Sequence, residues 1–579
     1  TYNDAVSIGG ATTFNATASS AALAFNSTLA AAAHALTLSA DEINLGGGAG
    51  SVTGTDTATL QPHSTTAAIN VGSAAGATVG TLDLAAADIA ALADGFVAVR
   101  IGRADGAHAV SVGNASFQDP LLVRAPAAGS IAVNGALSGT EQIALEAGGA
   151  VQGGGSVTAP LVKIVAGGIG SFATPLQIDA PGIDILNSAG NAVIRTPGPV
   201  SLVNNFRNTA SGGELRLITQ NGAIDTAAVA VQGNNGRIAL IANDTAGGST
   251  GGFTVGSGGI SSGGGDIVLH AADNITIDGT VAAGAGNVRM IAGTGPGINT
   301  GHAVFSGSNP AAATELVQDE FGMIVFNAPV ASGSMTLVSS TTATPTIAPV
   351  ITQGAAGALA TTGALTAVSL RGGGAPGNGG GTIDLNDAAG NNSTGLINLF
   401  ACSFDGCPVA LPTAPFINQG APVPPFTTAL YSDGQLFYSD VGGTNVTGIG
   451  TSGDFTLYTP GSVTITGPSL SAKNLTIEAL VDINVDLLAP FTNNDINGGQ
   501  PGGSLNFIAG QNLNYTSTAA GAAIGSAASL FNHDLLFQAA GNVTIANAIH
   551  VGSGNLVVSA NAPANLNNNT VNIPASGTG

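Results

Sequence analysis

Three polar residues at alternate positions, Asp482, Asn484 and Asp486 in VDINVDLLAP, are the sequence's best candidates for chemistry. In an extended strand alternate side chains share a face, so these three stand together while Ile483, Val485 and Leu487 point inward. Two carboxylates on one face could divide the acid and base work of glycoside hydrolysis, or hold the calcium ion of a polysaccharide lyase. A lyase also needs a nearby base, and Lys473 is the one cation close by in sequence. The plainer reading, an exposed polar strand face, is the one we expect. Paired aspartates followed by Gly-His-Gly, the pectin-hydrolase pattern, do not occur; Gly301-His302-Ala303 is the nearest approach. His270, His302 and His533 are scattered among small residues, and no serine stands out as a nucleophile. GGGDIVLH and GGGTIDLN echo a calcium-binding nonapeptide but do not recur in series. We therefore expect no enzyme, and assign no catalytic residue, metal ligand or cofactor.

The two cysteines, Cys402 and Cys407, lie in ACSFDGCP without a nearby Cys or His to complete a zinc set. A disulfide closing a surface loop is expected, with two free thiols as the alternative. Prolines and scarce aromatics crowd the same region, residues 400–440. Phe404, Phe416, Phe426, Tyr431, Phe437 and Tyr438 could stack on sugar faces as a contact loop. Packing of that loop onto the body of the protein is the plainer alternative.

Whatever chemistry exists must be positioned by short strands. GGGDIVLHAADNITIDGTVAAGAGNVRMIAG (263–293) aligns without a gap on DLLFQAAGNVTIANAIHVGSGNLVVSA (534–560), so that Asp266 falls on Asp534 and Asn287 on Asn555. Within a copy, aliphatics alternate with polar residues: Ile267 and Leu269 oppose Asp266 and His270, and Ile275 and Ile277 flank Thr276. Period-two alternation broken by Gly, Asn and Asp marks strands between tight turns. Ile267 precedes Val288, and Leu535 precedes Leu556, by the same 21 positions. A unit of three such strands cannot bury its own inward face, but stacked units can. The expected fold is all-β: a right-handed parallel β-helix (β-solenoid) with one short helix near 83–94 and loop excursions. Asn274 and Asn542 are placed where corner residues hydrogen-bond along the stack.

Composition agrees with a folded repeat protein. Of 579 residues, 87 are Gly and none is Trp, and charged residues make up 8%, while Val, Ile and Leu recur throughout. Acidic residues outnumber basic ones 33 to 11, for a net charge of −22. That balance argues against nucleic acid and anionic membrane surfaces as partners. No apolar run is long enough to insert in a membrane.

The expected organisation is an irregular β-helix start (1–80), a short helix with strand repeats (81–150) and a β-helix shaft (151–353). A Gly-rich stretch of loop and strands (354–398), the Cys/Pro/aromatic excursion (399–445) and a second shaft (446–579) follow. The repeated pattern, with the segment LDLAAADIAALADGFVAVRIGRADGAHAVSVGNASFQDPLLVRAPAAGSIAVNGALSG, resembles the β-helical shaft of filamentous-haemagglutinin-type proteins. These are large adhesins exported by two-partner secretion in Gram-negative bacteria, related to other β-strand-repeat surface proteins. The resemblance implies an extracellular, cell-surface rod serving display or attachment, including biofilm formation. Host or cell-surface glycans or proteins would be its partners, or further copies in a filament or surface layer. The family's secretion domain carries Asn-Pro-Asn motifs, and none occurs here; that domain lies outside this chain, or the export route differs.

Overall fold

A computed structural model of the chain describes residues 1–17, 21–73, 80–244, 251–293, 322–340, 350–363, 365–371, 382–385, 392–393, 397–403, 430–432, 435–439, 444–446, 449–451, 454–459, 462–465, 470–471, 474–479, 481–487, 491–516, 523–526, 528–560 and 571–572. They fall into two compact units, Thr1–Asn243 with Gly256–Gly265, and Asp244–Val255 with Asp266–Gly579. Each is a parallel β-solenoid.

In the first unit one coil consists of Leu121–Ala125, Ser130–Val133 and Ala136–Gly139, and the next of Ile143–Ala147, Ala150–Gln152 and Ser156–Thr158. Each strand pairs in parallel with its counterpart one coil on: Leu121 with Ile143, Ile131 with Val151, Leu137 with Val157. These aliphatics are all buried, so alternation in sequence becomes continuous inward columns. Each side chain removed from water contributes about 1.5–3 kcal/mol. At the first coil Tyr2 stacks on Phe25 at 4.8 Å, and Phe14 meets both rings edge-on.

The helix is present but covers only Ala86–Ala91. The expected span of 83–94 takes in Leu84, yet Thr81–Ala85 is a strand paired with Ala68–Ser73. Ladder bonds outcompete propensity there, and the helix starts where the buried Asp88 carboxylate accepts the Ala85 N–H at 2.9 Å. Its other oxygen accepts the Leu45 N–H at 2.8 Å, tying the helix to the strand Glu42–Leu45.

Four corner glycines of this unit, Gly190, Gly213, Gly236 and Gly265, stand over one another. A Cβ on Gly213 would overlap the carbonyl oxygen of Gly190, one on Gly236 that of Gly213, and one on Gly265 that of Gly236. The backbones approach too closely there for any side chain.

The second unit contains both copies of the repeated segment from Asp266 and Asp534 onward. Ile267 pairs with Val288 and Leu535 with Leu556, both in parallel, so the 21-residue period is one winding. Coils Ile275–Ile277, Val281–Ala282, Val288–Ala292 and Met323–Phe326, Val330–Ser332, Met335–Ser340 stack in register. Farther along, equivalent residues stand 30 apart, as Asn484 and Asn514 do. Aromatic rings help fill these longer coils: Phe507 stacks on Phe537 at 5.6 Å, and Tyr515 lies 5.8 Å from Phe537.

One expectation about facing needs correction. His270, which alternation sets opposite the inward aliphatics, is fully buried, and every residue of Ile267–Ala271 is buried. Alternation does place His270 opposite Leu269, but this strand is covered on both faces, as strands of parallel sheets commonly are.

Candidate functional site

The Asp482 cluster is the first place to look for chemistry. Ile483, Val485 and Leu487 are buried and Asn484 and Asp486 half-exposed, as alternation requires. Their partners, however, come from the next coil. Asp482 Oδ1 accepts the backbone N–H of Asn512 at 2.9 Å and its Nδ2 at 3.0 Å, while Asn514 Nδ2 donates to Asn484 Oδ1 at 2.9 Å. The same two-pronged clamp recurs in both repeat copies. Asn287 donates N–H and Nδ2 to Asp266 Oδ1 at 2.9 and 3.2 Å, and Asn555 to Asp534 Oδ1 at 2.9 and 3.0 Å. Asn274 Oδ1 likewise accepts the Met323 N–H at 2.8 Å, and Asn542 donates its N–H to Asn512 Oδ1 at 3.1 Å. Asp482 thus makes at its own corner, in the column of Asn512 and Asn542, the kind of link between windings that Asp266 and Asp534 make elsewhere.

Of the other sequence candidates, four stand in described strands. Phe404, Phe416, Phe426 and Cys407 lie outside the described residues. Cys402 stands in the strand Ile397–Ser403, opposite Leu370. Tyr431 stands in Leu430–Ser432 opposite Phe400, and Phe437 and Tyr438 in Gln435–Ser439 opposite Asp384 and Leu385. All four are rungs of parallel ladders. Among the described residues, no group of three or more His, Cys, Asp or Glu could hold a metal ion.

Two ionisable sites are internal. Arg216, 2% exposed, binds Glu214 through Nη2 at 2.6 Å and lies 4.6 Å from the Phe172 ring centroid; Arg237 Nε lies 3.7 Å from the same carboxylate. Burial pulls the Arg216 guanidinium below its usual pKa, and Glu214 opposes that shift. Burial also pushes the His270 imidazole down to about 3, so it is neutral near pH 7.

A concave feature able to receive a ligand was missed from sequence. It is a groove of about 360 Å³ on the outer face of the first unit, over Ala98–Ile101, Leu121–Ala125, Ile143–Ala147 and Leu161–Ala166. Parallel register stacks Arg100, Leu122, Ala144, Lys163 and Asp184 in one outward column, with Arg124, Glu146 and Val165 beside it. Leu122 and Ala144 make the floor; Arg100, Gln142, Glu146 and Lys163 supply polar walls. Lys163 Nζ lies 3.9 Å from Asp184 Oδ2. Arg124 donates Nε–H to the Gly102 carbonyl at 3.1 Å; burial and then the charge of Arg100 lower its pKa, and Glu146 raises it. Arg100 is exposed and has no ion-pair partner among the described residues. A signal for this column did exist: Val99-Arg100-Ile101, Leu121-Leu122-Val123, Ile143-Ala144-Leu145 and Val162-Lys163-Ile164 each flank one outward residue with two buried aliphatics.

No family model matches this chain. Neither the curated proteins nor the solved structures yield a match.

Proposed function

We propose that this chain is a structural and adhesive β-helical shaft of an extracellular bacterial surface protein, serving display or attachment rather than catalysis. The observation that carries the reading is the coil-to-coil register. Backbone ladders join each winding to the next, and the aspartates at 266, 482 and 534 reinforce the corners. Inward positions are thereby committed to the core while outward ones can vary, an arrangement suited to presenting a surface. The likeness to filamentous-haemagglutinin-type shafts supports the same reading. Beads coated with the purified chain should attach to bacterial or host cell layers well above albumin-coated beads. Attachment at the albumin level would remove the adhesive role.

Self-assembly into a filament or surface layer is a second reading, favoured by the strand Leu556–Ala560. Its first two residues, Leu556 and Val557, are 41% and 49% exposed, although Leu556 continues the inward column of Leu505 and Leu535. Aliphatic side chains exposed on a strand favour packing against a further surface. Light scattering and electron microscopy at rising concentration separate the readings: particles of constant mass support a shaft, and growing fibres or sheets support a polymer.

A further inference from the structure

The chain carries 11 cations against 33 acids, yet Arg100, Arg124 and Lys163 stand within four successive rungs of the first unit, with Arg100 and Lys163 lining the groove. Their carboxylate neighbours are unequally shared. Asp184 lies beside Lys163, and Glu146 offsets Arg124, which leaves the Arg100 guanidinium to a carboxylate from outside. A planar guanidinium offers paired N–H donors that match a carboxylate. From Arg100 the floor runs over Leu122 and Ala144 to Lys163, three rungs or roughly 14 Å at ~4.8 Å per rung. An apolar floor with a few polar groups along its walls is the usual make-up of a ligand site.

We propose that this groove binds a sparsely charged, uronate-bearing polysaccharide, with a carboxylate on Arg100 and the apolar sugar faces over Leu122 and Ala144. The inference rests on the attachment reading and gives it a ligand class. An extended acidic peptide fits less well, because peptide recognition on a sheet draws on free main-chain groups. Here the strands beneath the groove are paired on both sides, as Leu121–Ala125 is with Ala98–Ile101 and Ile143–Ala147. A densely sulfated chain is disfavoured by Glu146, whose carboxylate lines the groove.

The test is calorimetric titration of the whole chain with short hyaluronan oligosaccharides, which alternate uronate and neutral sugars. Neutral dextran fragments, heparin fragments and poly-glutamate provide the comparisons. Hyaluronan fragments should bind at least tenfold more tightly than dextran and no less tightly than heparin or poly-glutamate. Arg100→Ala and, separately, Ala144→Glu should each weaken binding tenfold or more; Gln152→Ala, exposed on another strand, should not. Circular dichroism and the urea midpoint should stay unchanged in a variant for its result to count, and two independent substitutions keep one failure from deciding. Absence of hyaluronan binding, retention of binding in both groove variants, or tighter binding of heparin or poly-glutamate would each overturn the proposal. If coated beads attach equally with Arg100→Ala, the groove is excluded while the adhesive reading stands; if wild-type beads fail to attach, the adhesive reading falls and the titration alone judges the groove.

Discussion

Replacing Asp482 separates a structural link from a catalytic carboxylate. Its Oδ1 holds the Asn512 backbone N–H at 2.9 Å and Asn512 Nδ2 at 3.0 Å. A hydrogen bond to a charged group contributes about 1.5–3 kcal/mol net, and a neutral one about 0.5–1.5. Because Asp482 is half-exposed, water replaces part of what is lost. Asp482→Ala should therefore cost about 1.5–3 kcal/mol locally. Asp482→Asn keeps an Oδ1 acceptor and should cost less than about 0.7 kcal/mol. Repeat proteins open in segments, so amide hydrogen exchange at Asn512 is the appropriate assay, ahead of a global melting temperature. At ~1.4 kcal/mol per factor of ten, the alanine variant should exchange roughly 10–150-fold faster and the asparagine variant within about threefold of wild type. Asn512→Ala combined with Asp482→Ala should cost less than the two singles summed, because the partners share the interaction. The reasoning is refuted if Asp482→Ala leaves Asn512 exchange unchanged, or if Asn proves as damaging as Ala. Depolymerisation of an acidic polysaccharide by the wild type, lost in both variants while exchange is unaltered, would restore the enzyme reading.

His270 is neutral in the folded chain, and its unfolded counterpart takes up a proton below about pH 6.5. Acidification from pH 6.5 towards 3 should thus erode stability by about 1.4 kcal/mol per pH unit, and stability should be fully present above that window. His270→Leu should remove this slope in urea titrations; an identical slope in both proteins would contradict the burial effect. Glu214→Ala removes the carboxylate that faces the buried Arg216 and should cost about 3–5 kcal/mol by chemical denaturation. Glu214→Leu with Arg216→Met should recover most of that loss, and no recovery would point to geometry rather than charge. Gly236→Ala places a Cβ on the Gly213 carbonyl and should speed amide exchange at Ile238. Unchanged exchange would mean that the corner has room to yield.

Much of this architecture could be read from residue spacing. The interval between Ile267 and Val288 gave the winding, and both copies of Asp266/Asn287 fell on the corner clamps. Alternation also placed Ile483 and Val485 inward correctly. What it could not give is the occupancy of the outer face. Period two assigns His270 a side but not whether that side meets water, because covering a sheet is a long-range event. The groove was hidden for a related reason: Arg100, Leu122, Ala144 and Lys163 become neighbours only once coils of unequal length are brought into register. The helix was overextended because Leu84 satisfies helical and strand spacing alike, and pairing with Val71 decided between them.

The clamps and inward columns join each winding to its immediate neighbours, which has an evolutionary corollary. Inserting one more 21-residue winding, such as a copy of residues 267–287, between existing coils would create the same kind of contact above and below, displacing everything beyond it by ~4.8 Å. Tandem duplication can therefore lengthen such a protein in small steps, with selection acting on reach while the packing of each layer is inherited intact.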